Sequence, residues 1–156
     1  MKSRVLTEIL TALRLYGLEP SAVGIELTES GYLDTNTHFQ KLWDGLKKNG
    51  VLVILDDFGT GHSNLDYMAS MPIHIVKFDR TMTQDYFQSN KTRHVMNAAI
   101  KMIHDMEMKI VAEGIETKEQ FDFINEQNVE FIQGYYFSKP IPEKEFLSFL
   151  MKYNRK

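Results

Sequence analysis

Two periodicities alternate along the chain. Residues 4–16 set Val5, Ile9, Ala12, Leu13 and Tyr16 at helical spacing, and Gly17 ends that pattern. A short strand is predicted over 24–29. A helix over about 37–48 places Phe39, Leu42, Trp43 and Leu46 on one face; Thr37 and Gln40 suit a capping box, and Asn49-Gly50 closes it. Residues 51–55 are a continuous apolar run of β-formers, as expected for a parallel strand buried on both faces. A glycine-rich loop and a short helix over about 63–70 come next, then a strand over 74–78. A long helix over about 90–107 gathers Val95, Ala99, Met102, Ile103 and Met106 on one side. A strand over 109–112 follows, then a helix opened by a second capping box at Thr117 and Gln120, a strand over 130–133 and a last helix over about 143–153.

Strand–helix–strand repetition with right-handed crossovers makes a parallel sheet with helices packed outside. An open doubly wound sheet and a (β/α)8 barrel both satisfy it. Length alone favours the open sheet, because 156 residues fall short of the roughly 250 of a typical barrel.

Composition narrows the function classes. Hydrophobic residues make up 43% and charged residues 25%, which suits one compact domain rather than a disordered segment. A net charge of −3 gives no reason to expect binding to a nucleic-acid polymer. There are no cysteines, so disulfides and thiolate metal sites are excluded and a reducing, cytoplasmic setting is expected. No apolar run is long enough to span a bilayer, and no apolar stretch follows the N-terminus as in a secretory signal.

The chemistry concentrates at the ends of the strands. Glu26 and Glu29 lie in and just after the first strand, and Asp56-Asp57 follow the second. Lys77 and Asp79 close the third, Glu113 and Glu116 follow the fourth, and Gln133 closes the fifth. C-terminal strand ends of a parallel sheet converge on one rim, where α/β folds place their sites. One Glu after a strand ordinarily serves as a helix N-terminal charge, and Asp56-Asp57 could cap a turn. Lys77 between Val76 and Phe78 is costlier to explain without a partner, for which Asp79 is one candidate. The repeat of the pattern over five strands points to a site. Gathered carboxylates repel one another, and divalent cations such as Mg²⁺ or Mn²⁺ relieve that repulsion with oxygen ligands. Two such ions can activate water against a phosphodiester, with Lys77 adding a positive charge. The nine Met residues read as core and the five His residues show no metal-ligand spacing. Residues 57–61 lack the G-x-x-x-x-G-K-[ST] pattern of a P-loop.

Read together, Ile25-Glu26-Leu27-Thr28-Glu29-Ser30, Asp56-Asp57-Phe58-Gly59-Thr60-Gly61, Lys77-Phe78-Asp79, Val111-Ala112-Glu113-Gly114-Ile115-Glu116-Thr117 and Gln133-Gly134-Tyr135-Tyr136-Phe137 with Lys139-Pro140 resemble the EAL domain family, the phosphodiesterases that linearise cyclic di-GMP. The resemblance covers nearly the whole chain and makes residues 1–156 one partial EAL domain. It implies a TIM-like (β/α) barrel, N-terminally truncated to about five parallel strands with outer helices, which overrides the length argument. It also implies roles. Glu26 and Asp56 look like direct metal ligands, with Asp57 serving a second metal. Lys77 resembles the lysine that orients the catalytic water or contacts phosphate, and Glu113 the general base. Asp79, Glu116 and Gln133 match positions that organise the second metal and its waters. Glu29 matches the anchor of the 57–61 loop.

The strand with the Glu-Ala-Leu motif and the next one, with a metal-binding Asn, are absent from these residues. The resemblance therefore implies cyclic di-GMP as the ligand and a two-metal Mg²⁺ or Mn²⁺ site that is incomplete here, so that the chain alone is expected to be weakly active or inactive. The rival is a non-catalytic binding or dimerisation module. Bare outer strands predict a homo-oligomer or closure by a missing N-terminal segment.

Overall fold

The computed structural model describes residues 2–28, 37–60 and 65–153. The elements run α1 (Lys2–Leu15), a 3₁₀ turn (Pro20–Ala22), β1 (Gly24–Leu27), α2 (Thr37–Lys48), β2 (Leu52–Phe58), α3 (Leu65–Ser70), β3 (Ile75–Phe78), α4 (Arg80–Asp85), α5 (Asn90–Asp105), β4 (Lys109–Ala112), α6 (Lys118–Asn125), β5 (Phe131–Ile132) and α7 (Glu143–Tyr153). The side chains of Thr37 and Gln40 lie outside the described residues, whereas the Thr117–Gln120 capping box forms as expected.

All five strands are parallel and pair in the order β1-β2-β3-β4-β5. A doubly wound sheet reverses its strand order at a switch point. Here each strand lies beside its predecessor, which with right-handed crossovers is the winding of a barrel. The open sheet favoured by length is therefore the wrong choice: the five strands form an arc of a TIM-like architecture. Its core joins Val53, Leu55, Val76, Phe78, Ile110 and Ala112 from the strands to Trp43, Leu46, Met96, Ile103 and Ile124 from the helices. His74 has a structural part here. Its Nδ1 accepts from the Val53 backbone N–H at 3.1 Å, and its own N–H donates to the Val53 carbonyl at 2.9 Å, fastening β2 to β3.

Three local features differ from expectation. Strand β2 continues three residues past the apolar run, through Asp56 and Asp57 to Phe58. Helix α4 follows β3 directly, started by Asp79, whose carboxylate accepts from the Thr81 N–H at 2.7 Å. On α5 the buried residues are Met96, Ile100 and Ile103, while Val95 is 60% exposed. Apolar residues lie side by side at 95–96, 99–100 and 102–103, so spacing alone leaves the facing stripe uncertain by one residue, or about 100° of rotation. Among the described residues no helix is long and apolar enough to cross a membrane.

The rotation of α5 is testable. Met96→Ala is expected to cost about 2–5 kcal/mol of unfolding free energy, whereas Val95→Ala stays within about 0.5 kcal/mol. Urea denaturation midpoints of the two variants check it; equal losses would refute the assigned face.

Candidate active site

Strand register brings the sequence-predicted residues together. Partnered residues of parallel strands share a face, and so do residues two apart on one strand. Glu26 of β1 is partnered with Ile54 of β2, two residues before Asp56. Ile54 is partnered with Ile75, two before Lys77, and Lys77 with Val111, two before Glu113. One face at the C-terminal rim thus presents Glu26, Asp56, Lys77 and Glu113.

Their side chains meet at one atom. Lys77 Nζ lies 3.1 Å from Glu26 Oε1, 2.9 Å from Asp56 Oδ1 and 2.9 Å from Glu113 Oε1. The lysine side chain is 12% exposed, so an unpaired ammonium there would be costly. Burial is the largest influence on it and by itself would depress its pKa. The carboxylates of Asp56, Glu113 and Glu26 together outweigh burial and hold the pKa above its ordinary value.

A bulge adds Asp57 to this cluster. Leu55 pairs with Val76 and Phe58 with Phe78, so Asp56 and Asp57 together face the single residue Lys77. Asp57 takes a left-handed conformation, φ 58°, which Asp tolerates better than most residues. In a regular strand without the bulge, Phe58 would fall on the Asp56 face. With it, Phe58 packs on Phe78 with ring centroids 5.7 Å apart. Asp57's carboxyl is held above its ordinary 3.8, first by burial, then by the charges of Asp56 and Asp79, with Lys77 opposing.

The loop after the bulge is fastened on both sides. The Thr60 hydroxyl donates to the Asp57 carbonyl at 2.9 Å. Gly59 has φ 103°, and a Cβ there would stand 2.6 Å from Met82 Sδ of α4. Glu29 and Gly61 lie outside the described residues. The loops after β4 and β5 interlock. Ile115 N–H donates to the Gln133 carbonyl at 3.2 Å and Tyr136 N–H to the Ile115 carbonyl at 3.0 Å. That crossing needs Gly134, whose Cβ would stand 1.9 Å from the Ile115 oxygen.

The remaining predicted residues surround the cluster. Asp79 caps α4 and is absent from the carboxylates paired with Lys77, so it is not the partner suggested by their spacing. Glu116 pairs with Arg80 at 2.7 Å. Glu116, Gln133 and Glu113 line a pocket of about 170 Å³ with Arg80 and Tyr135. Sequence reasoning did not single out Arg80, Met82 or Gln84, all on α4. The available signal is Asp79 as an N-cap, a role not among those its position suggests, which are partner of Lys77 and organiser of a second metal's waters.

The donor set fits a hard divalent ion by chemistry and charge. Glu26, Asp56, Asp57, Asp79 and Glu113 are offset by one ammonium, and the raised Asp57 carboxyl registers the excess. Among the described residues no three Asp, Glu or His groups are arranged to hold an ion, and Glu26, Asp56 and Glu113 each pair with Lys77.

A family model described as EAL domain matches residues 1–140. The chain belongs to the EAL domain family. Within that family, it is 34% identical over 152 residues to the Cyclic di-GMP phosphodiesterase NbdA of Pseudomonas aeruginosa, covering 97% of this chain and 19% of NbdA. The chain spans about a fifth of the length of that relative and of the Signaling protein YkoW of Bacillus subtilis, to which it is 35% identical over 140 residues, 90% of this chain and 18% of YkoW. The crystal structure of the EAL domain of Mycobacterium smegmatis DcpA superposes with a TM-score of 0.86 at 28% identity, covering 94% of this chain and 66% of that one. With these neighbours, the five-stranded arc is established as part of the EAL domain's TIM-like fold.

Two variants test the electrostatics of this EAL site. Lys77→Met leaves three carboxylates facing one another and is expected to cost about 2–4 kcal/mol, read from urea midpoints at pH 7. An unchanged midpoint would show that solvent already screens the cluster. Asp57→Asn removes a carboxyl whose folded pKa is raised. Its stabilising contribution is complete below 3.8 and is lost as pH rises through the folded value. Without added metal, Asp57→Asn should therefore be more stable than the parent at neutral pH, with the gap closing toward pH 3.8. A gap that is constant with pH would contradict the shift.

Proposed function

We propose that this chain carries the catalytic rim of a cyclic di-GMP phosphodiesterase. The observation that carries the reading is Lys77 Nζ held within 2.9–3.1 Å of carboxylates on β1 and β2 and just after β4. Family membership supports the substrate. NbdA is named a cyclic di-GMP phosphodiesterase, and an EAL-like neighbour, BlrP1 of Klebsiella pneumoniae, is described as a manganese and cyclic di-GMP complex (TM-score 0.78, 28% identity, 86% of this chain and 34% of that one).

Glu26, Asp56 and Asp57 would hold Mg²⁺ or Mn²⁺. When bound, the ions supply the charge that acidifies water and stabilises a leaving alkoxide. The chain's own groups do the rest. The Lys77 ammonium holds a phosphoryl oxygen or the attacking water. Glu113 accepts the water's proton as the new P–O bond forms, and the ester P–O bond breaks with the departing ribose oxygen taking up a proton to become the free hydroxyl of the product. One ring phosphodiester opens and the product is the linear dinucleotide. Gln133 and Tyr135 border the adjoining pocket beside Glu113, where they would meet the substrate. The Glu-Ala-Leu glutamate and the Asn that complete the family's ligand set are not among these 156 residues.

A second reading, a module that binds without hydrolysis, rests on Glu26, Asp56 and Glu113 each being paired with the Lys77 ammonium. Incubation with cyclic di-GMP and Mn²⁺, followed by chromatography of the products, separates the two. Slow, metal-dependent formation of the linear dinucleotide is expected, reduced at least about 100-fold in Glu113→Gln. Mn²⁺ should also raise the melting temperature of the parent more than that of Asp57→Asn. Nucleotide binding that ignores Mn²⁺, with no product after prolonged incubation, would establish the binding module instead.

A further inference from the structure

Helix α4 touches the loops on both sides of its own strand. It begins at Asp79, the second residue after Lys77, and Met82 packs against Gly59 in the loop after β2. Its last turn reaches the loop after β4, which carries Glu113. Gln84 Nε2 donates to the Gly114 carbonyl at 2.6 Å, and Gln84 Oε1 accepts from Gln120 Nε2 at 3.0 Å. Gln120 Oε1 in turn accepts from the Glu116 N–H at 2.8 Å and the Thr117 N–H at 3.1 Å. Two side-chain amides from two helices therefore bind the backbone on both sides of Ile115, a fully buried residue.

A glutamine amide has one donor end and one acceptor end, and here both ends of both residues are used. The direction of the relay is fixed. Gln120 faces the backbone N–H groups with its oxygen, so its nitrogen is left to face Gln84. Gln84 must then accept from Gln120 with its oxygen and give its nitrogen to Gly114. A helix–helix contact needed only for packing would not require polar groups of this order. Gly114 is the residue next to Glu113, whose carboxylate stands 2.9 Å from Lys77.

We propose that Gln84 is a positioning residue: through its relay with Gln120 it fixes the loop that holds Glu113 against Lys77. The link to turnover rests on the phosphodiesterase reading; the link to loop order does not.

The test compares Gln84→Met, which keeps the length and loses both hydrogen bonds, with Ile103→Val, a core change on α5 that lowers global stability without touching the relay. Amide hydrogen exchange is read at Glu116 and Thr117, together with kcat and KM for cyclic di-GMP with Mn²⁺. Relative to Ile103→Val, exchange at these amides should quicken about tenfold and kcat fall about 10–100-fold, with KM held within about twofold. Equal exchange in the two variants would overturn the proposal. If Gln84→Met does not fold, Gln84→Glu keeps the acceptor for Gln120 and loses only the donor to Gly114. The same quickening is then expected, and its absence overturns the proposal. No turnover by the unsubstituted chain would count against the phosphodiesterase reading alone, because the exchange comparison decides the positioning role in either case.

Discussion

A lysine on an otherwise apolar strand is the constraint on which this structure depends. Val76 and Phe78, the neighbours of Lys77, are fully buried, and the lysine itself is only 12% exposed. Such a charge is tolerated only if counter-charges reach it, and no single residue supplies them. Glu26 comes from β1, Asp56 from β2 and Glu113 from beyond β4. Strand order and register must therefore be right before the charge is satisfied. The same contacts that stabilise the fold gather the functional groups.

That arrangement also explains the irregular features of the rim. A regular β2 would send Asp57 to the opposite face, and the bulge opposite Lys77 keeps it with the other acids. Four acids, Glu26, Asp56, Asp57 and Glu113, stand against the single charge of Lys77, and the raised Asp57 carboxyl registers the excess. The surrounding loops hold the cluster through backbone approaches that side chains would block, at Gly59 against Met82 and at Gly134 against Ile115.

Much of this was legible in the sequence, because strands and acids repeat in phase. The β-formers at 51–55, the capping box at Thr117–Gln120 and the strand-end positions of Glu26, Asp56, Lys77 and Glu113 all follow from local pattern. What was not legible depends on pairing between distant residues. The bulge at Asp56-Asp57 exists only relative to β3, so no local periodicity reveals it. Its position suggests Asp79 as a partner of Lys77, yet the start of α4 claims it. Length points to an open sheet; the motif resemblance already sets that aside, and the strand order agrees with the resemblance. The outward turn of Val95 depends on which side of α5 meets the sheet, a choice that near-continuous apolar residues leave open.

The central claim is that the acids around Lys77 form one centre that takes a divalent ion. Titrating an isotope-labelled sample with substoichiometric Mn²⁺ and following paramagnetic broadening of backbone amides tests it most directly. The account predicts selective loss of the signals of Glu26, Asp56, Asp57 and Glu113 ahead of those elsewhere in the chain. Broadening centred elsewhere, or spread evenly over surface carboxylates, would contradict it.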